Sequence, residues 1–193
     1  MIALQTFVDR HSPSITEKAD PAVVEHYRGH LPNALLELWR HSGFGTYSNG
    51  LIQIINPDVY KASLWKWLMR DKDDYTRLPI ALSAFGSIFY YRRLNNEGVE
   101  DVAFVDPHTS DSSVLSWSAT DFFNGVLCDH SSINSVLDQA LFNKVVPLKG
   151  ELAPNEMYYF VPALRLGGEM VADSTERGDA LVHLDILLQL ALG

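Results

Sequence analysis

Apolar residues in the first part of the chain recur at the spacing of one helix face. Asp20-Pro21 reads as a cap followed by proline in a first turn, after which Val23, Val24 and Tyr27 fall on one side. Gly29 and the Leu31-Pro32 step interrupt that helix. Pro32 opens a second one, in which Leu31, Leu35, Leu38 and Trp39 form a buried stripe. Gly43-Phe44-Gly45 stops it, and a turn through Ser48-Asn49-Gly50 leads into Leu51-Ile52-Gln53-Ile54-Ile55, a short β-branched run that predicts a strand. Asn56-Pro57-Asp58 repeats the cap-then-proline signal, and Tyr60, Leu64, Trp67 and Leu68 mark the next helix. Trp65 falls off that stripe, at a position expected to face solvent.

The pattern then changes period. Residues 78–92 read as β structure, with Gly86 as a bend and residues 88–91 as strand core. Asn95-Asn96-Glu97-Gly98 is a hairpin turn signal leading into Val102-Ala103-Phe104-Val105, and Val114-Leu115 follows Asp106-Pro107. Three or four short antiparallel strands are expected. Further on, Phe122, Phe123, Val126 and Leu127 mark one helix, and Ile133, Val136, Leu137, Ala140 and Leu141 a second, capped by Ser132. A short strand at 157–161, a loop at 166–168 and a final helix from about Asp179 complete the chain. The predicted class is α+β: a short antiparallel sheet packed with several helices and followed by a helical C-terminal part. No repeat or flexible linker interrupts it.

Composition supports a folded chain without external staples. The 193 residues are 47% hydrophobic and 20% charged, enough to bury a substantial core. The lone Cys128 allows neither an internal disulfide nor a cysteine zinc site. The apolar runs are too short to span a bilayer, and the N-terminus lacks the basic region and apolar core of a signal peptide. A cytoplasmic protein with no membrane association is expected.

Charge changes the picture more. The net charge is −9, which disfavours direct binding to nucleic acid. Nearly all of it lies between Leu94 and Asn143, where there is no Lys or Arg but eight acids: Glu97, Glu100, Asp101, Asp106, Asp111, Asp121, Asp129 and Asp138. Such a stretch serves either solubility or the steering of a basic partner, and the sequence leaves both open.

Catalytic signatures are missing. The glycines of residues 43–50 follow a helix and precede a strand, the reverse of a nucleotide-binding loop, and no GxxxxGK[ST], GxSxG or HExxH occurs. His26 and His30 share a helix face but have no third ligand. His183 and Asp185 point in different directions, and Asp106-Pro107-His108 and Asp129-His130 read as loop positions. Cys128, beside Asp129, reads as a buried filler rather than a nucleophile. No catalytic residue, cofactor or metal is predicted.

The order of motifs carries a resemblance. Tyr27-Arg28-Gly29-His30-Leu31-Pro32, Leu35-Leu36, Trp39, Gly43-Phe44-Gly45, Tyr47-Ser48-Asn49-Gly50-Leu51, Asn56-Pro57-Asp58-Val59-Tyr60 and Trp67-Leu68 together resemble the GAD-like domain of bacterial proteins. Tyr158-Tyr159-Phe160-Val161-Pro162-Ala163-Leu164-Arg165-Leu166-Gly167-Gly168, then His183-Leu184 and Leu188-Gln189-Leu190, resemble the domain that follows it in type VI secretion immunity proteins. The resemblance implies a GAD-like part over 1–110 and an immunity-protein part over 111–193, packed as one unit. It also implies a non-enzymatic cytoplasmic protein that binds and blocks a cognate toxin, a basic DNase. The alternative is an interaction or regulatory module without a toxin. Combined with the charge pattern, Glu97, Glu100, Asp101, Asp106 and Asp111 are the expected partner-binding residues.

Overall fold

In the computed structural model, which describes residues 1–193, seven strands form one antiparallel sheet in sequence order. They are β1 (Pro13–Glu17), β2 (Phe44–Tyr47), β3 (Ile52–Ile54), β4 (Arg77–Ser83), β5 (Ile88–Arg93), β6 (Glu100–Val105) and β7 (Ser112–Ser116). The helices are α1 (Gln5–Arg10), α2 (Pro21–His26), α3 (Asn33–Ser42), α4 (Pro57–Trp67), α5 (Ala119–Asp121), α6 (His130–Leu137), α7 (Gln139–Lys149) and α8 (Ala180–Leu192). A separate hairpin pairs β8 (Glu156–Phe160) with β9 (Thr175–Asp179). The class is α+β, as the periodicity indicates.

The cap signals work as local chemistry. The side chains of Asp20, Asn56 and Asp179 accept from the amides of Ala22, Asp58 and Val182, which opens α2, α4 and α8. Asp129 rather than Ser132 caps α6, accepting from Ser132 N at 2.9 Å.

The strand expected at 51–55 and the three or four expected from residue 78 onward are present as β3 and β4–β7, and β1 and β2 extend the sheet beyond them. β1 is exposed at all five positions, so it carries no inward–outward alternation to read. β2 lies inside the glycine-rich run that sequence treats as a turn. Those glycines are what let β1 approach. A Cβ on Gly45, which has φ of +132°, would lie 2.1 Å from Ile15 O, and one on Gly43 would lie 2.1 Å from Glu17 O.

Two helices also depart from the pattern. Residues 122–126 widen to π geometry, with Leu127 N bonded to Phe122 O at 2.9 Å. The helix expected across residues 133–141 breaks at Asp138, whose φ of 52° and ψ of 40° are left-handed, a conformation that Asp tolerates better than most residues. Trp65 is buried, its indole N–H donating to Arg77 O at 2.9 Å, because the start of β4 covers that side of α4. Trp117 instead is the exposed tryptophan, at 72%.

One hydrophobic cluster runs from Leu4 to Leu187 and includes residues of both parts of the chain. Phe122 lies 5.3 Å from Phe89 on β5, and Phe123 meets Phe7 of α1 edge-on at 5.0 Å. The β8 hairpin is tied to the sheet through Tyr158 N to Ala84 O at 2.8 Å and Gln53 Nε2 to Glu156 O at 2.6 Å.

Two outcomes follow from this packing. Gly45→Ala should destabilise the protein by about 2–4 kcal/mol in urea unfolding, with amide-exchange protection lost first in β1. Asp138 is half-buried, and burial, followed by the negative charge of Asp106, pushes its carboxyl up to about 6. A folded pKa raised above the unfolded value means that ionisation costs stability as pH rises through about 6. Asp138→Asn, which keeps the left-handed preference, should therefore gain about 1–2 kcal/mol at pH 8 once solvent screening is allowed for. That gain should fade between about pH 6 and pH 4 in thermal melts.

Candidate partner interface

The five carboxylates singled out from sequence do not converge on one point. β6 separates them. Glu97 lies in the turn before it and Glu100 at its start, whereas Asp106 and Asp111 lie beyond its end, on the order of 17 Å away at strand rise.

Their surroundings differ as much as their positions. Asp101 is fully buried and accepts two hydrogen bonds from Arg92, Nε and Nη2 each at 2.6 Å. It has no surface to offer a partner. The Asp101 hydrogen bonds hold the Arg92 guanidinium above its ordinary pKa, against the opposing effect of burial. Glu100 is half-buried and bridges elements: Oε2 accepts from Tyr91 OH at 2.9 Å and Oε1 from Ala119 N at 3.0 Å. Asp106 closes its own turn, accepting from His108 N at 2.8 Å and Thr109 Oγ1 at 3.1 Å. Glu97 and Asp111 are exposed and make no ion pair. So is Asp121, on α5. Exposed acids without an ion pair therefore stand before β7 (Asp111), after it (Asp121) and in the turn before β6 (Glu97), while Glu100 and Asp101 hold the strands together.

Sequence missed Trp117 as a surface group. The signal lay in its neighbours, since Ser116 and Ser118 flank it and Ser118 caps α5 by accepting from Asp121 N. An exposed tryptophan beside unpaired carboxylates suits recognition, because indole supplies a large contact area and its face attracts cations.

Five of the histidines lie against aromatic rings or buried polar groups. His26 and His30 lie with their ring centroids 6.0 Å and 5.2 Å from that of Tyr75. His183 stacks on Tyr159 at 3.5 Å. The buried His108 has Nε2 2.9 Å from Phe85 O, and burial lowers its pKa. The buried His11 has Nε2 2.6 Å from Leu127 O and Nδ1 3.0 Å from Ser48 Oγ, so the neutral tautomer donates to the carbonyl and accepts from the hydroxyl. Its pKa is likewise lowered by burial. Burial raises the Cys128 thiol, which donates to Phe123 O at 3.3 Å. No cluster of three His, Cys, Asp or Glu side chains is placed to hold a metal ion, and no helix is long and apolar enough to cross a membrane.

The Arg92–Asp101 pair gives a clean test of framework against interface. Arg92→Ala should cost about 3 kcal/mol in urea unfolding by leaving a buried carboxylate unpaired. The double replacement Arg92→Met with Asp101→Leu should recover most of that loss.

Comparisons with known proteins agree with this architecture. The chain is similar in structure to Atu4351 from Agrobacterium tumefaciens, known from a crystal structure, with a TM-score of 0.76 at 20% sequence identity, over 96% of this chain and 88% of that one. At that identity the likeness speaks for the fold. No curated protein matched the sequence. The profile "T6SS immunity protein Tdi1, C-terminal" matches residues 118–191, and the GAD-like domain profile matches residues 2–100. The chain belongs to the GAD-like domain family and joins that domain to a C-terminal segment of the Tdi1 immunity-protein type.

Proposed function

We propose that this chain is a cytoplasmic immunity protein of a type VI secretion system, which binds a co-produced DNase toxin and covers its active site. It catalyses nothing itself. The observation that carries this reading is the match of residues 118–191 to the C-terminal domain of the immunity protein Tdi1. The exposed carboxylates Glu97, Asp111 and Asp121, in a stretch without Lys or Arg, support a nuclease as the target. A nuclease holds DNA with clustered Lys and Arg, and an inhibitor that offers carboxylates there gains speed of encounter as well as register. Residues 1–110 and 111–193 act together in this reading, as one rigid inhibitor rather than a binding domain and a spacer.

Co-expression with the product of the adjacent gene tests the proposal. A stable complex with its DNase activity silenced is the expected outcome. No complex, with the toxin still killing the cell, would sink the reading. Within a complex, Glu97→Lys with Asp111→Lys should slow association at least about tenfold at low salt and have little effect at high salt.

A further inference from the structure

The sheet ends in two open edges, and they are built differently. β1 carries a proline, Pro13, and ends on Glu17 and Lys18, and its register with β2 slips between Pro13 and Ile15. Proline, charge and a bulge are the devices that stop an edge from pairing with another chain. β7 has neither proline nor charge over Ser112-Ser113-Val114-Leu115-Ser116. Ser112, Ser113 and Val114 are all exposed. Apart from the ladder to β6, no backbone or side-chain group of the molecule bonds to the main chain of residues 112–115. The outward amides and carbonyls of that run thus face solvent. The single irregularity is at Leu115, the extra residue where Ala103 pairs with Val114 and Val102 with Ser116. It ends the straight run after Val114 and turns the chain toward the exposed Trp117.

Charge then distinguishes what such an edge would accept. Asp111 precedes the strand, Asp121 follows Trp117, and Glu97 lies in the turn next to the Glu100–Ala119 bond at the same end. Two cations lie nearby, Arg165, bonded to Ser110 beside Asp111, and Arg93, which faces Glu100 across the β5–β6 ladder and donates to Gly29 O, but neither is ion-paired to a carboxylate. Extended backbone with open hydrogen bonds, an aromatic anchor and carboxylates without an ion pair are three features of this strand and its flanks.

We infer that β7 is a docking edge for an extended segment of the toxin that carries Lys or Arg at alternate positions and adds to the sheet as a further strand. Its main chain pairs with Ser112–Val114 and one of its cations lies on the Trp117 face. The toxin as source of that segment rests on the immunity reading; the edge itself does not.

The test separates the two. The full chain, isotopically labelled, is titrated with a ten-residue peptide alternating Lys with Thr and Val, and with its counterpart in which Glu replaces Lys. The Lys peptide should shift and protect the amides of residues 112–116 and shift the Trp117 indole, Trp117→Ala should weaken it at least about tenfold, and the Glu peptide should not bind. No change in residues 112–117, changes centred on β1, or equal binding by the Glu peptide would each overturn the inference. In the toxin complex, Val114→Lys and Val114→Glu place comparable side chains at the same exposed position. A loss of affinity at least about tenfold larger for Lys than for Glu supports docking there. Equal affinities with an intact complex overturn it while leaving the immunity reading in place. Peptide binding without any toxin complex supports the edge and removes the toxin as its partner.

Discussion

The contact on which the architecture depends is the aromatic chain that crosses from one part of the molecule to the other. Tyr47 and Phe123 both lie against Phe7, at 5.6 Å and 5.0 Å, and Phe122 joins Phe123 to Phe89 on the sheet. Phe122 and Phe123 belong to the segment of the immunity-protein type, whereas Phe7, Tyr47 and Phe89 belong to the GAD-like one. Each such pair contributes about 0.5–1.5 kcal/mol beyond the area it buries. His11 adds a polar link across the same seam, between Ser48 and Leu127. Because it is buried neutral, its lowered pKa makes the link one that acid weakens: stability held above about pH 6.5 is lost as pH falls toward the folded value. With the seam filled, neither part keeps a free apolar face there, and recognition is left to the strand edges, the turns and the outer helix faces.

The net charge of −9 is a poor guide to the recognition surface until its carboxylates are sorted by what they touch. Asp101 spends its charge inside the sheet on Arg92, and Glu100 spends its oxygens on Tyr91 and Ala119. Asp129 is held down to about 2 by the hydroxyls and amides of Ser131 and Ser132, so it remains ionised as a helix cap. Asp138 is disfavoured in its ionised form by burial and by Asp106. What remains to act at a distance is the small set that solvent reaches and no cation answers. A surface built from few charges can still steer if few opposing charges lie near it: residues 94 to 143 contribute none, and the neighbouring Arg93 and Arg165 pair with no carboxylate.

Much of this was legible in the sequence because its signals are local. Asp20 and Asn56 cap helices through bonds that span two residues, and the cap-then-proline pattern that names them needs no tertiary knowledge. The hairpin at 95–98 is equally local, with Asn95 accepting from Glu97 N and Val99 N. What escaped depends on distant partners. β1 becomes a strand only because Gly43 and Gly45 leave room for its carbonyls, and Trp65 becomes buried only because Arg77 O comes to meet it. Among the candidate site residues, Asp101 and Asp111 look alike in sequence. They part company because Arg92 lies opposite the first across β5 and β6, whereas opposite the second, past the end of the β6–β7 ladder, lies another acid, Asp106, whose amide donates to Asp111 O at 2.9 Å.

The C-terminal hairpin shows how the frame is kept stiff. Buried Gln53 donates to Glu156 O and accepts from Asn155 N, and the Asn155 carboxamide in turn accepts from Tyr60 OH. Three elements, β3, α4 and the start of β8, are thereby fixed by bonds that give both the nitrogen and the oxygen of the buried Gln53 carboxamide a partner. Ala84 O extends the grip to β8 through Tyr158 N. A binder that reaches its target already ordered avoids the cost of freezing loops on contact, about 0.5–1.5 kcal/mol for each mobile side chain immobilised. In the binding of a charged partner, rigidity beneath the surface and unpaired charge upon it act on different steps. The charge speeds encounter, and the fixed frame slows escape.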